Sequence, residues 1–342
     1  MPKHVLNVGV IGAGRIGRVH AANLATRIPS ARVLVVADTV AEAAQRCAHD
    51  FGIPNAVADY RAVLEDRDVG AVLICTATNT HAQIIAEAAQ AGKQIFCEKP
   101  IALDLASIDA ALAAVERAGV KLQIGFNRRF DANFQRVRQA VAQGEIGKPE
   151  LLHIISRDPA PPPIAYIKVS GGIFLDMAIH DFDMARFLIG SEVEQVYASG
   201  GVLVDPAIGA AGDIDTALTV LHFANGAIGT IDNSRRAVYG YDQRVEAFGS
   251  GGAIATSNNY PNNAIVSDAT SVRRDLPLNF FMDRYTESFV TELSAFVDAV
   301  ASGAPVPVSG QDGRAPVVMA LAARKSYDER RPVKLSEVEL PA

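Results

Sequence analysis

The chain lacks a surplus of basic residues, a set of cysteines and any long apolar run. Its 32 Lys and Arg stand against 38 Asp and Glu, a net charge of −6, so it has no electrostatic footprint for nucleic acid, whose binding leans on clustered cations. Arg128 with Arg129 and Arg273 with Arg274 are isolated pairs, suited to solvent or a small ligand. Three cysteines, Cys47, Cys75 and Cys97, make at most one disulfide and lack the spacing of a metal site, so a reducing, cytoplasmic compartment and no metal are expected. Nothing approaches about 18 uninterrupted apolar residues, and no membrane span is expected. The run Met-Pro-Lys-His-Val-Leu-Asn-Val-Gly-Val passes at once into a strand pattern, without the apolar stretch of a secretory leader.

What is present is a chain of 342 residues, 49% hydrophobic, long enough for two domains, each with its own core. Val5 to Ile11 is a short apolar run of the kind that a strand covered on both faces needs, and it ends in Gly12-Ala13-Gly14-Arg15-Ile16-Gly17. Strand before and helix after make this a dinucleotide fingerprint. Gly12 permits the turn, Gly14 lets backbone approach a pyrophosphate, and Gly17 lets helix and strand pack closely. The next strand, Arg32 to Ala37, ends at Asp38, about 20 residues on, where a carboxylate accepts from ribose hydroxyls and repels a phosphate. No Arg follows Asp38, so NAD is expected rather than NADP, although Arg15 and Arg18 are in reach of a 2′-phosphate in principle.

Helices over Ala41 to Phe51, His81 to Ala91 and Leu105 to Ala118 alternate with strands over Ala71 to Cys75, Gln94 to Cys97 and Lys121 to Phe126, the pattern of a parallel sheet. Ligands in such sheets sit beyond the carboxyl ends of the strands, where Thr76, Thr78, Asn79, His81, Glu98 and Lys99 fall. Asn79 and His81 read equally well as the first turn of a helix. Lys99 is followed by Pro100, which restricts it to extended conformations, and its ammonium is suited to stabilising an alkoxide. Cys97 reads as a small packed residue. Asp176 and His180 are four apart and share a face if the segment is helical. A carboxylate that holds an imidazole in one tautomer makes a general base, and a buried pair that ties down a helix looks the same in sequence.

From Glu150 the pattern shifts to extended stretches, Leu151 to Ser156, Val193 to Val204, Ile214 to Phe223, Ala227 to Asn233 and Arg244 to Phe248, with a hairpin signal at Ala224-Asn225-Gly226. Consecutive strands without helices imply antiparallel pairing. Helical patterns at Arg284 to Ala301 and Gly313 to Tyr327 close the chain, and Ala160 to Pro163 is a stiff loop, a lid edge or a plain connector. His20, His49, His153 and His222 are assigned to structure.

The Gly12–Gly17 loop, Thr80-His81, Ala91-Gly92-Lys93 before Cys97-Glu98-Lys99-Pro100, and Gly125-Phe126-Asn127-Arg128-Arg129-Phe130 together resemble the Gfo/Idh/MocA oxidoreductases, over nearly the whole chain. The resemblance implies an α/β protein: a Rossmann doubly wound parallel sheet in residues 1–126, then an α+β domain in 127–342 with a large, open, mostly antiparallel sheet that builds a homotetramer; packing of the C-terminal helix back on the first domain is a further expectation. It implies Lys99, Asp176 and His180 as catalytic residues and Gly12, Gly14, Arg15, Ile16, Gly17, Asp38, Thr76, Thr78, Asn79, His81, Glu98 and Lys99 around NAD. Ser156-Arg157-Asp158, Ser170 through Asp183 and Asn233 through Arg244 are similar to the branch acting on inositol. The expected reaction is oxidation of myo-inositol at C2 to the 2-keto product, with scyllo-inositol, another cyclic polyol or an aldose as alternative substrates, and an NAD-sensing binding protein as the alternative of another class. A ring of hydroxyls needs many fixed polar partners. Asn127, Arg129, Arg157, Asp183, Tyr241 and Tyr285 are expected around it, partly from the resemblance; the two arginines read equally as ion-pair partners and the two tyrosines as core residues.

Overall fold

The computed structural model describes residues 5–339; the first four residues of the run read for a leader lie outside them. Two compact units emerge. One holds the chain up to Asn127 together with Glu287–Ala315, the other Arg128–Thr286 and the chain from Pro316. The first unit takes back a helical segment from late in the chain, and that segment is Glu287–Ala315, whereas the chain from Pro316 belongs to the second unit.

In the first unit β1 (Leu6–Ile11), β2 (Ala31–Ala37), β3 (Asn55–Val57), β4 (Ala71–Ile74), β5 (Gln94–Glu98) and β6 (Leu122–Gly125) form a six-stranded sheet in the order β3-β2-β1-β4-β5-β6, with every pair parallel. The order reverses between β1 and β4, which opens a crevice at their carboxyl ends. The connecting helices are α1 (Arg15–Arg27), α2 (Ala41–Phe51), α3 (Arg61–Glu65), α4 (Thr78–Gln90) and α5 (Leu105–Ala118). All four residues of β4 are buried, as strands covered on both faces require. Helix α5 starts where the Asp104 carboxylate accepts from Ser107 N at 2.8 Å. Leu293, Phe296 and Val297 of helix Thr286–Ser302 join Val8, Val10, Leu24 and Phe96 in the core, each burial stabilising by roughly 1.5–3 kcal/mol. The edge strand β3, three residues long, has no counterpart in the expectations, and α4 begins three residues before His81.

The second unit is built on β7 (Pro149–Arg157), β8 (Val193–Gly201), β9 (Thr216–Phe223), β10 (Ile228–Ser234), β11 (Asp242–Gly249) and β12 (Gly252–Ala255), with a separate hairpin β13 (Ile265–Ser267) and β14 (Val272–Arg274), and β15 (Val333–Lys334). The large sheet runs β12-β11-β7-β10-β9-β8-β15. Its pairs are antiparallel except β7 with β10, a parallel neighbour that the long helical crossover after β7 permits. The β9–β10 turn carries Gly226 at φ 89°, and Asn225 Oδ1 accepts from Ala227 N at 3.1 Å. Leu152 and Ile154 of β7, Ile231 of β10 and Leu221 of β9 are buried, whereas Leu151, Ile228 and Leu218 are exposed on the opposite face.

Candidate active site

In the first unit the glycine loop has two crowded sides and one open one. A Cβ on Gly12, which sits at φ 102°, would lie 2.6 Å from the Cys75 carbonyl oxygen, and one on Gly17 would lie 1.9 Å from that of Gly12. A Cβ on Gly14 would meet nothing within 4 Å. Gly14 is also the N-cap of α1 and offers no side chain to cap it. An uncapped helix N-terminus beside open space fits a pyrophosphate. Arg15 is exposed and Ile16 half-buried at the same turn. Asp38 braces the loop: its Oδ2 accepts from Ala13 N at 2.7 Å and its Oδ1 from Val40 N at 2.8 Å. Arg18 is held by Asp50 at 2.7 Å, so its guanidinium ties α1 to α2.

At the end of β4, Thr76 Oγ1 lies 2.7 Å from Thr80 Oγ1, and Thr78 and Asn79 form the first turn of α4. His81, expected beside the cofactor, is buried with both ring nitrogens on backbone carbonyls, Nδ1 at 2.8 Å from Pro100 O and Nε2 at 3.0 Å from Thr76 O. It ties two loops together. Lys99 is half-buried, and the Lys99–Pro100 bond is cis. Burial, with the Glu98 charge adding to it, pushes the Cys75 and Cys97 thiols well above the usual range, so both are packing groups and not nucleophiles.

In the second unit the segment carrying Asp176 and His180 is not one helix. Helix Gly172–Asp176 ends at Asp176, and helix Ile179–Ile189 begins one residue before His180. Between them Met177 N and Ala178 N both donate to Ile173 O, at 3.0 and 2.9 Å, a widened turn that breaks the simple four-residue face. Asp176 is gripped from other elements: Tyr166 Oη donates to Oδ1 at 2.8 Å and Arg235 Nη1 to Oδ2 at 3.1 Å. Arg235 is 1% exposed and also faces Asp213, 3.6 Å away. The proline loop leads into helix Ile164–Ile167, which supplies that tyrosine. His180 is half-buried.

Burial, against the opposing pull of Arg235 and Arg128 and with Asp176 and Asp181 adding repulsion, pushes the Asp158 carboxyl up to about 6. A folded-state value above that of an unfolded aspartate means that ionising Asp158 opposes folding. Its stabilising neutral form is fully present below about pH 4 and is lost as pH rises through about 6. Asp158→Asn cannot ionise, so its unfolding free energy should gain on the wild type by about 2–3 kcal/mol across that window and stay level above it. Urea unfolding at pH 4, 6 and 8 (about one point on each side of the window and one in it) checks this, and a pH-independent difference would refute it.

Of the residues expected around a substrate, several hold each other. Arg129 Nη2 and Nε donate to Asp183 at 2.6 and 2.9 Å, both side chains being buried. Arg157 donates to Asp232 at 3.1 Å and to Tyr239 Oη at 3.2 Å. Tyr241 and Tyr285 are buried edge to face at 6.1 Å, with Arg128 donating to Tyr241 Oη at 3.3 Å. Arg128 also donates to buried Asp181 at 2.6 Å, which accepts from Asn233 Nδ2 at 2.8 Å. Asn127 is buried at the start of the 3-10 turn Asn127–Phe130.

Family models match both parts of the chain: the oxidoreductase family with an NAD-binding Rossmann fold over residues 6–126, and the GFO/IDH/MocA C-terminal domain over residues 134–255. This chain belongs to the GFO/IDH/MocA oxidoreductases. It is 50% identical over 333 residues to the myo-inositol 2-dehydrogenase of Thermotoga maritima, covering 97% of this chain and 99% of that one. It is 38% identical to the scyllo-inositol 2-dehydrogenase (NAD(+)) of Bacillus subtilis, covering 97% of each. The crystal structure of a myo-inositol dehydrogenase from Corynebacterium glutamicum matches with a TM-score of 0.93 at 39% identity, over 99% of this chain and all of that one.

Tyr166 and Arg235 are the residues of this oxidoreductase that sequence reasoning missed around Asp176. Arg235 lies inside the Asn233–Arg244 motif but beside a second arginine, with nothing local to choose between them. Tyr166 precedes Asp176 by ten residues across an irregular segment, a distance that no helical or strand period links.

Proposed function

We propose that this oxidoreductase uses NAD to oxidise the C2 hydroxyl of myo-inositol to the ketone. His180 takes the hydroxyl proton as general base. Asp176, its carboxylate held on both oxygens by Tyr166 and Arg235, supports the imidazolium that results. The Lys99 ammonium stabilises the oxygen as negative charge develops on it. When bound, the nicotinamide supplies the hydride-accepting carbon. The observation that carries the reading is that both family domains are present together with Lys99, Asp176 and His180, in a chain half identical to a myo-inositol 2-dehydrogenase.

Preference for NAD over NADP is supported by Asp38, whose charge opposes a 2′-phosphate, and by the commitment of Arg18 to Asp50. Scyllo-inositol is the second substrate to test, because the scyllo-inositol enzyme is also a full-length relative. Following NADH formation with a panel of inositol isomers and aldoses, with NAD and with NADP, should give the highest kcat/KM for myo-inositol with NAD. No reduced cofactor with any polyol despite NAD binding would leave an NAD-sensing binding protein in its place.

The exposed sheet face supports a homotetramer. Phe248, Leu151 and Ile228 are neighbours in register across β11, β7 and β10, and with Leu218 and Tyr197 all are exposed, a mixed apolar surface suited to a second copy. Leu218→Asp with Phe248→Asp should lower the mass measured by light scattering. Among the described residues no helix is long and apolar enough to cross a membrane. The three cysteines are free and buried, which supports a reducing, cytoplasmic compartment.

A further inference from the structure

The residues on either side of Lys99 are each held by a buried histidine. Before it, Glu98 closes β5 and its Oε1 accepts from His20 Nε2 of α1 at 2.6 Å. His20 is fully buried, edge-on to Phe96 and Phe289 with centroids 5.3 and 5.7 Å away, and its Nδ1 has no hydrogen-bond partner among the described residues. The ring is therefore committed to this one bond. The Glu98 carboxylate lies against Gly125 of β6, where a Cβ would come within 3.1 Å of it, so a glycine on the neighbouring strand leaves it room. After Lys99, the Pro100 carbonyl oxygen lies 2.8 Å from Nδ1 of His81, whose Nε2 is 3.0 Å from the Thr76 carbonyl oxygen. A carbonyl oxygen has no proton to give, so the ring N–H donates to one of these two carbonyls, which one depending on the tautomer.

We propose that His20 and His81 are positioning residues that fix the backbone of Lys99 from both sides. The proposal rests on the role given to Lys99 above. A lysine ammonium rides on a flexible four-carbon stem, and a misplacement of about 1 Å at a reacting centre costs on the order of 10²-fold in rate. Pinning residues 98 and 100 removes the backbone from that uncertainty and leaves only the side-chain torsions. The two anchors are also informative in where they lead. His20 belongs to the helix that begins at the glycine loop, and His81 joins Pro100 to the end of β4. The lysine and the loops at the ends of β1 and β4 thus share one support, so that a shift in either loop is transmitted to Lys99.

The test uses the full-length protein. His20→Leu and His81→Phe, with His81→Leu as a second variant, none of which keeps a hydrogen-bond donor, are compared with the wild type in kcat, KM, NAD affinity by calorimetry and thermal unfolding. The expected result is kcat lowered by about 10- to 100-fold in folded protein, with NAD affinity changed by a much smaller factor. Placed on the residual activity of Lys99→Ala, the same substitutions should cost little more, as expected of residues acting through one group. Wild-type kcat in the folded variants, or a full second loss in the Lys99→Ala background, would overturn the proposal. Nitrogen-15 spectra of histidine-labelled wild type should show the ring N–H protons of His20 and His81 protected from exchange, and rapidly exchanging ring protons would overturn the proposal even if no variant folds. The spectra need no turnover. Protected ring protons in a protein inactive on every inositol would sink the inositol reading and leave the clamp standing, whereas an active protein with rapidly exchanging ring protons would do the reverse.

Discussion

Replacing His180 by alanine is expected to lower kcat by about 10²–10⁴-fold, the range for losing a positioned general base, and Lys99→Ala by about 10²–10³-fold, the range for losing one donor to a developing oxyanion. The His180 variant should bind NAD nearly as the wild type does, because the change touches neither the glycine loop nor Asp38, and the Lys99 variant should lose far less in NAD affinity than in kcat; calorimetry with NAD alone checks this. The two losses should differ in kind. Without the base, the rise of kcat/KM with pH that accompanies deprotonation of the imidazole should disappear; without the ammonium it should remain on a lower plateau. Asp176 is expected to matter through His180, its carboxylate being fixed by Tyr166 and Arg235. Turnover within tenfold (about 1.4 kcal/mol of barrier) of the wild type in both alanine variants would refute the mechanism.

Gly14→Ala and Gly17→Ala should fail in opposite ways. A Cβ at position 14 enters open space, at a φ of −69° that alanine accepts, so the melting temperature should hardly move. The methyl then occupies the volume expected for the pyrophosphate, and overpacking of about 1–3 kcal/mol corresponds to roughly 5- to 150-fold in NAD dissociation constant. At position 17 the Cβ would sit 1.9 Å from the Gly12 carbonyl oxygen. That neighbour is backbone and cannot rotate away. Helix and loop must separate, so this variant should lose stability as well as NAD affinity. Thermal unfolding and calorimetry on the pair decide the matter: a Gly14→Ala protein that melts early yet binds NAD normally would place the dinucleotide elsewhere.

The first unit was largely legible because its signals are local. Strands covered on both faces are continuous apolar runs, and Leu105–Ala118 is bounded by an aspartate cap and a glycine stop, so its limits agree with the expectation. The start of α4 at Thr78 was placed three residues late, near His81, because a first helical turn without a side-chain cap has no marker, although Asn79 already read equally well as a first-turn residue. In the second unit the hairpin at Asn225-Gly226 was readable for the same local reason, whereas the parallel pairing of β7 with β10 was not, since strand neighbours separated by a long crossover leave no mark on spacing. The Asp176 and His180 pair shows the limit most clearly. A spacing of four is compatible with one helix, and nothing within the segment announces the widened turn after Ile173 that divides it.

By itself the sequence determined the dinucleotide loop, its acid at Asp38, the parallel alternation of the first unit and the presence of Lys99, Asp176 and His180, the residues to which the proposed chemistry is assigned. These depend on residue type and short-range period, which the linear chain contains. The tertiary structure alone decided what grips those groups: Arg235 on Asp176 across 59 residues, His20 on Glu98 across 78, Asp183 on Arg129 across 54, and the return of Leu293, Phe296 and Val297 to the core of the first unit. Such contacts form when sheets and helices close over sequence separations that no local propensity encodes. A buried polar group then takes whichever partner the fold brings within hydrogen-bond distance, because leaving it unpaired costs about 1–3 kcal/mol.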